Sequence, residues 1–498
     1  MTAPPSIDKR RDSELAALAQ EVAPTRPRSG SCPAAALHHD DHTVVHVDDD
    51  RPVTVCTEVT PLLASSGRAI DDAACETSPL PAAGKRVPAL DLLRGLIIVA
   101  MSLDHARKYL CHYSLTEEAW DVVLPDYGSS LALFAVRSVT HLAAPGFFFL
   151  MGVGAVLLAK SRLEHPTRPW SKLAVVQHGL VRGGILVALA LTLLNDGIMF
   201  RGANPSDKDL AGVRVSLGVL FALGVNMALA LALVTVTYHW PRRFVVATLV
   251  ALAWAIPAVT EVMLLWCRRE GTDGHVPSAV WLLMVSIVPQ TTGFLQVVYP
   301  VVPWLAPTLW GVAYGLGTIH VAPRRFPRLN ALLGVLLLAC FALVRALDGF
   351  GNISTASIPT PSTFSTRLIA LLTVVKYPPS LAFLAATLGL VHLLLAVCLH
   401  PITAKRLAAD SAPFTVSWAM RSLARILIAY GQSSLFFYLV HVPLFFFTGI
   451  LVKRTRGGVG LLGLMPWWIG GLAVLAVLCA RYARFKHATL PTSWWRFL

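Results

Sequence analysis

The sequence VPALDLLRGLIIVAMSLDHARKY, residues 87–109, determines how the rest of this chain is interpreted. Its apolar run approaches the ~20 residues that a helix needs to cross roughly 30 Å of hydrocarbon. Ionisable side chains lie within or beside that run, among them Asp91, Arg94, Asp104 and His105. The stretch therefore predicts a membrane-spanning helix that carries charge inside the bilayer.

The rest of the chain has the composition of a polytopic membrane protein. Of its 498 residues, 55% are hydrophobic and only 14% are charged, whereas soluble proteins carry about 25% charged residues. In lipid each backbone N–H and C=O has to be satisfied within its own segment, so the apolar runs have to form helices. We expect an all-α bundle of about ten transmembrane helices, near residues 88–110, 131–158, 173–195, 214–238, 244–267, 299–319, 329–347, 380–399, 426–450 and 460–482. The proline-broken stretch 276–298 is interpreted as a re-entrant or interfacial segment.

Residues 1–84 are a different kind of sequence, rich in Pro, Ala, Ser, Asp and His and without a sustained apolar run. This composition predicts a disordered cytosolic tail, followed by a membrane domain over residues 85–498. Within the tail, Glu58 followed by Leu62 and Leu63 fits the acidic dileucine pattern that sorting adaptors bind in eukaryotic cells. The pattern favours the vacuolar or lysosomal membrane, with the plasma membrane as the alternative.

The formal net charge of +14 comes from short basic clusters at helix ends rather than from one patch. That distribution is typical of the positive-inside rule, so no nucleic-acid partner is expected. Six clusters fall on one side of a ten-span arrangement, which places both termini in the cytosol. Lys453, Arg454 and Arg456 fall on the other side, as does Asn352-Ile-Ser354, an acceptor pattern for N-glycosylation.

Arg94 and Asp104 are too close along one helix to reach opposite membrane surfaces. The ten helical steps from one to the other, at about 1.5 Å each, span roughly 15 Å, only about half of the hydrocarbon thickness. An ionisable group at that depth costs at least about 2.5–3.5 kcal/mol unless it faces protein or water, so it marks a functional site. Because imidazole transfers protons near neutral pH, His105 assisted by Asp104 is the expected catalytic pair. The alternative is structural pairing one helical turn apart, of Asp91 with Arg94 and of Asp104 with Arg107.

Other polar side chains lie at the ends of later apolar runs and predict an exoplasmic vestibule. His141 shortly precedes Pro145, which interrupts the hydrogen bonding of a helix. Lys376 has the alternative interpretation of a snorkelling interfacial anchor. The expected residues for binding substrate or acyl donor are Arg94, Arg107, His112, His141, Arg345, Lys376 and His441.

Several chemistries are disfavoured by the motifs that the sequence lacks. No Walker A loop, HExxH helix or GxSxG elbow is present, which argues against ATP-driven transport and zinc proteolysis. The eight cysteines form no CxxC pair and no zinc-type spacing with histidine, so neither a metal site nor a disulfide framework is expected.

Five blocks of sequence resemble, in order, the membrane domain of the heparan-α-glucosaminide N-acetyltransferase-like proteins, in particular their microbial and fungal branch. They begin with LDLLRGLIIVAMSLDHARKY, RSVTHLAAPGFFFLMGVG and VVYPVVPWLAPTLWGVAYGLG, and continue with LLTVVKYPPSLAFLAATLGL and GQSSLFFYLVHVPLFF. The resemblance covers essentially all of residues 86–482. It implies an enzyme that moves an acetyl group from cytosolic acetyl-CoA to an acceptor across the membrane. A polar residue of the family's first catalytic span corresponds to His105, and the family's catalytic histidine has a counterpart only at His112, if gaps are allowed.

The sequence thus predicts a membrane acyltransferase that uses acetyl-CoA as donor substrate and a sugar amine or hydroxyl as acceptor. A secondary transporter or proton-coupled carrier is the main alternative, since charges at membrane depth serve transport as well. A receptor-like or scaffold protein, in which the charges merely pair with each other, is the third. The expected partners are membrane lipid, a small-molecule or glycan acceptor, the sorting adaptor and, as an open alternative, a second copy of the chain.

Overall fold

The computed structural model describes residues 87–113, 118–120, 127, 130–195, 215–270, 290–291, 295–352, 363–401, 403 and 416–489. All of them belong to the unit Cys75–Leu498, one of two into which the chain divides. The expected tail, with its dileucine pattern at Glu58, Leu62 and Leu63, lies outside the described residues.

The described part of the chain is predominantly helical, as expected. Its α-helices are α1 (Pro88–Leu110), α2 (Leu131–Thr140), α3 (Ala143–Leu163), α4 (Lys172–Leu191), α5 (Val219–Val236), α6 (Arg242–Glu270), α7 (Val301–Thr318), α8 (Phe326–Leu347), α9 (Phe364–Leu372), α10 (Leu381–Cys398), α11 (Val416–Gln432), α12 (Ser434–Arg456) and α13 (Leu461–Ala488). Serine side chains cap several of these helices by accepting a backbone N–H of the first turn, for example Ser130, Ser171 and Ser380.

Within these described residues, eight helical segments are long and apolar enough to cross a membrane. The segment Leu131–Leu163, which contains both α2 and α3, is one of them. Helices α1 and α7 occupy two more of the expected positions but are not among the eight, so the expected number of about ten spans is not confirmed.

Two of the expected spans are not single helices. The span near 131–158 is interrupted at His141 and Leu142, four and three residues before Pro145. Proline offers no N–H and its ring crowds the carbonyl four residues back, which explains the interruption. The span near 426–450 is divided at Ser433 into α11 and α12.

A small sheet accompanies the helices and was not expected from the sequence. Its strands are β1 (Val215–Leu217), β2 (Gln290–Thr291) and β3 (Leu295–Val297). β1 pairs in parallel with β3, and β2 pairs antiparallel with β3. β1 and β3 precede α5 and α7, and Leu217 accepts the backbone N–H of Tyr299. The sheet therefore fixes where these two helices begin.

Helix α1 is enclosed by α11 and α12, which contact opposite halves of it. A Cβ added at Gly431 of α11 would lie 1.9 Å from the carbonyl oxygen of Asp91, and one at Gly449 of α12 would lie 2.6 Å from that of Tyr109. Small residues allow such close backbone contact between helices in membranes. Cys111, just after α1, and Val459, just after α12, form a β-bridge through their backbones. The two helices therefore end at the same side of the bundle.

Candidate active site

His105 of α1 and His441 of α12 form a direct imidazole pair. Nδ1 of His105 and Nε2 of His441 are 2.7 Å apart, and Nδ1 of His441 lies 3.0 Å from the carbonyl oxygen of Phe437. His441 is completely buried, while His105 is half-buried. Tyr438 borders the pair, with its ring centre 6.4 Å from that of His105. The structure therefore joins two of the expected site residues that are 336 positions apart.

Asp104, next to His105 in the chain, accepts hydrogen bonds from two arginines. Its Oδ1 lies 2.9 Å from Nη2 of Arg107 and 2.9 Å from Nη1 of Arg137. Both arginines are buried, and Arg137 comes from α2. The sequence anticipated the pairing of Asp104 with Arg107, but it did not anticipate Arg137.

Glu118, in the α1–α2 connection, is the second buried carboxylate. Arg137 donates to it through Nε at 2.8 Å and through Nη2 at 2.5 Å, and the hydroxyl of Tyr127 donates to it at 2.7 Å. Nε2 of His141 lies 3.3 Å from its Oε2, an electrostatic contact without the geometry of a hydrogen bond. Arg137 thus links Glu118 to Asp104, and both carboxylates belong to one network.

The network determines how Glu118 and Tyr127 titrate. Burial alone would raise the pKa of Glu118, but the neighbouring His141 and Arg137 outweigh burial and hold it well below its usual 4.5. Burial and the adjacent Glu118 carboxylate raise the pKa of the Tyr127 hydroxyl. Glu118 is therefore an anion at neutral pH, and Tyr127 remains a neutral donor.

The backbone at Glu118 attaches the α1–α2 connection to the segment between α9 and α10. The carbonyl oxygen of Glu118 accepts the N–H of Lys376 at 2.8 Å and that of Tyr377 at 3.1 Å, and Trp120 donates its N–H to the Tyr377 carbonyl at 3.2 Å. The side chain of Lys376 is buried, with Nζ 4.8 Å from the ring centre of Tyr377. Lys376 also acts electrostatically on Asp104. It belongs to the buried network and is not a surface anchor.

Three of the expected site residues have other surroundings. Arg94 pairs with Asp91 at 2.8 Å, three helical turns before His105 on α1. Arg345 donates to the carbonyl oxygens of Ala370 and Leu371 at the C-terminal end of α9. His112 is exposed, and its backbone N–H donates to the carbonyl of Val459. Arg345 therefore caps the C-terminal end of α9, a role that the sequence does not reveal.

A second buried polar network, centred on His392 of α10, was missed by the sequence analysis. Trp310 donates its indole N–H to Nε2 of His392 at 2.9 Å, Nδ1 of His392 lies 2.9 Å from Oδ1 of Asn330, and the Asn330 amide donates to the Tyr314 hydroxyl at 2.9 Å. His392 lies in the middle of an apolar run, whereas the polar groups that indicated a site in the sequence lie at the ends of runs. Both imidazole nitrogens have protein partners, so this network connects α7, α8 and α10.

The candidate active site lies where α1, α2, α12 and the α9–α10 segment meet. Among the residues that the structure describes, no group of three or more His, Cys, Asp or Glu side chains is arranged to hold a metal ion. The site instead combines an imidazole pair with two carboxylates and three basic side chains, from Arg107, Arg137 and Lys376. Such an arrangement is suited to proton transfer and to stabilising developing charge in surroundings that exclude most water.

These features define an integral membrane protein with a titratable site buried among its helices. Comparison with protein families then gives the identification. Residues 86–339, about half of the chain, match the family described as heparan-alpha-glucosaminide N-acetyltransferase, catalytic, and the chain belongs to this family of membrane acetyltransferases. The matched segment contains Asp104, His105, Glu118 and Arg137, while His441 lies beyond it. Comparison with curated proteins gives no match.

Proposed function

We propose that the protein is a membrane-embedded acetyltransferase that takes an acetyl group from cytosolic acetyl-CoA and delivers it to a sugar amine or hydroxyl on the exoplasmic or lumenal side. One observation carries the proposal: the half-buried His105 adjoins Asp104 in the chain and interacts electrostatically with its carboxylate, within the segment that matches the acetyltransferase family. A buried imidazole next to an anion can accept a proton and hold it as the imidazolium.

His105 has two chemically balanced roles in such a transfer. As a general base it takes a proton from the acceptor while the acceptor's lone pair attacks the thioester carbonyl; the C–S bond then breaks and the CoA thiolate leaves. As an acyl carrier it attacks the carbonyl itself, the C–S bond breaks and the CoA thiolate leaves. The acceptor then attacks the acetyl-imidazolium, the C–N bond breaks, and the freed ring nitrogen takes the acceptor's proton. In both cases a positive charge develops on the ring, and Asp104 stabilises it.

Arg94 supports the assignment of the donor. It lies on α1 in the half opposite to His105, and a Cβ added at Gly154 of α3 would be 3.8 Å from its Nη2. Arg94 is also close enough to Arg182 of α4 to act on it electrostatically. Two arginines in the half of the bundle that we assign to the cytosolic side suit the phosphates of acetyl-CoA. Arg107 and Lys376 would then position the acceptor.

The test is acetyl transfer by the purified full chain in lipid nanodiscs. Acetyl-labelled acetyl-CoA is offered with a panel of amino sugars, neutral sugars and lipids, and labelled products are quantified. We expect His105→Ala to lower the rate at least ~100-fold, the lower range for a lost general base. The control is His165→Ala, which alters a half-buried histidine between α3 and α4, away from the site. An undiminished rate in the His105 variant would remove the catalytic assignment, and a loss confined to His112→Ala would move it to His112.

Transport without acetylation is the competing outcome. If no acceptor is acetylated, and proteoliposomes instead carry a solute in the absence of CoA, the protein is a secondary transporter. The same purified sample serves both assays, so the two functions are compared on identical material.

We further propose a vacuolar or lysosomal membrane with both termini in the cytosol. The acidic dileucine pattern at Glu58, Leu62 and Leu63 supports this location by offering a site for a sorting adaptor. A fluorescent fusion of the full chain should move to the plasma membrane when Leu62 and Leu63 are both changed to Ala. Crosslinking in the native membrane then shows whether a homodimer forms.

A further inference from the structure

We infer that His441 is a positioning residue that fixes the tautomer of His105, so that the lone pair of His105 resides on Nε2. The inference rests on the proposed function for its catalytic meaning, but the tautomer itself follows from hydrogen bonding. It replaces the expectation that His441 binds substrate or donor.

The chain of hydrogen bonds begins at the carbonyl of Phe437. A carbonyl oxygen only accepts, so Nδ1 of His441, 3.0 Å away, has to carry the proton. His441 is completely buried, and a charge on it would be enclosed next to a second imidazole. Because an isolated buried charge is costly, His441 is neutral. A neutral imidazole with its proton on Nδ1 has a lone pair on Nε2.

The two rings point at each other along one line. Their centres are 5.0 Å apart and their planes differ by 20°. That separation equals the 2.7 Å between the two nitrogens plus the distance from each nitrogen to its own ring centre. Such a sum is reached only when the nitrogens lie on the line joining the centres. The contact is therefore an in-plane hydrogen bond and not a face-to-face stack.

The direction of this bond determines the state of His105. Since Nε2 of His441 is an acceptor, Nδ1 of His105 has to be the donor. The lone pair of a neutral His105 then lies on Nε2, the nitrogen away from His441. Nε2 is consequently the atom that accepts a proton or attacks the acetyl carbonyl.

The arrangement resembles a catalytic triad in which an imidazole takes the place of the orienting carboxylate. In hydrolytic triads a buried carboxylate orients the histidine and stabilises its charged form. Here a second imidazole, itself held by a backbone carbonyl, orients the histidine. The neighbouring Asp104 acts electrostatically on His105 and supplies the negative charge.

The test compares two substitutions of the full-length protein in nanodiscs. His441→Leu removes the acceptor, whereas His441→Gln keeps an amide oxygen near the position of Nε2. We expect the Leu variant to lose ~10–100-fold in kcat, the range for lost orienting groups, with KM for the acceptor within about twofold. The acid limb of its pH–rate profile should move to lower pH, because protonated His105 has lost its acceptor. The Gln variant should recover most of the rate.

Two further measurements separate positioning from mere packing and from the proposed function. His392→Leu alters another buried histidine in a separate network, and its pH–rate profile should match the wild type. Solid-state NMR of the 15N-histidine-labelled protein, assigned by difference against His105→Gln, should show protonated Nδ1 and unprotonated Nε2 at His105. Protonated Nε2 there, or a wild-type rate and profile in His441→Leu, would overturn the inference. If the wild type acetylates nothing, the proposed function fails while the NMR result still decides the tautomer.

Discussion

Arg137 and Glu118 form a buried, two-pronged ion pair that fastens the α1–α2 connection to α2. Both side chains are only 1% exposed, and the guanidinium donates through Nε and Nη2 to the two carboxylate oxygens. Arg137 uses Nη1 for Asp104, so one guanidinium serves both carboxylates. The positions of α1 and of the connection therefore depend on the same side chain.

Removing the charge of Glu118 should destabilise the protein strongly. Glu118→Gln leaves Arg137 buried with half of its counter-charge, and breaking one partner of a buried pair costs about 3–5 kcal/mol. The measurement is thermal unfolding of the purified protein in detergent. The matched control is Glu164→Gln: Glu164 is exposed, its pair with Lys160 spans 4.0 Å, and that pair should contribute at most ~1 kcal/mol. Equal stability of the two variants would contradict the buried pair.

Glu118 should make the folded protein less stable as the pH falls into the acid range. Because the pKa of Glu118 is lowered on folding, its carboxylate contributes stability above its usual value of 4.5. That contribution is lost as the pH falls below 4.5 and through the lower value of the folded state. Unfolding curves at decreasing pH should therefore show that the wild type loses more free energy of unfolding than Glu118→Gln does. An identical acid dependence in both proteins would show that the carboxylate is not held in this way.

Close backbone contact between α1 and α11 should make Gly431→Ala disruptive. The added methyl would lie 1.9 Å from the carbonyl oxygen of Asp91, and backbone cannot yield as a flexible side chain can. We expect the free energy of unfolding to fall by more than the ~1–3 kcal/mol typical of overpacking. The measurement is the yield of monodisperse protein, which should decrease. Gly470→Ala in α13 is the control, because no atom lies within 4 Å of its added methyl. It should fold normally, since alanine favours helix over glycine by up to ~1 kcal/mol.

Asn352 should carry no glycan despite its acceptor pattern. Its side chain is buried; the amide donates to the Thr373 carbonyl at 2.9 Å, and its oxygen accepts from the Val375 N–H and the Ser380 hydroxyl. Protein produced in eukaryotic cells should show no mass shift on endoglycosidase treatment. Asn352→Ala should instead lower stability, by about 1–3 kcal/mol for the groups left unpaired. A glycan at this residue would mean that the segment is open in the mature protein.

The sequence predicted what depends on local composition. Helix α1 is confirmed as a helix with charge along its length, because apolar length and charge spacing are properties of one segment. The interruption before Pro145 was likewise foreseeable from proline chemistry. His105, Asp104, His141, Lys376 and His441 were singled out individually because each lies in or beside an apolar run.

The sequence did not predict which of these groups meet. Glu118 was one of several acidic residues in a connection, and its role arises only because that connection folds back onto Arg137 and Lys376. The pairing of His105 with His441 requires α12 to run alongside α1, which no local pattern encodes. Arg345 illustrates the converse: it donates to the backbone carbonyls at the end of α9, a role that the sequence did not predict.

The position of Arg94 relative to His105 has a consequence for the shape of the donor. Eleven residues are close to three whole turns of a helix, so both side chains leave α1 in nearly the same direction, about 16 Å apart along its axis. Between them on that face lie Ile98 and Met101, both buried and apolar. Under the proposed function, a donor that reaches both ends has to be elongated, anionic at one tip and reactive at the other, with a slim flexible middle. Acetyl-CoA has this outline, whereas a compact acetyl donor of equal reactivity would engage His105 without ever contacting Arg94.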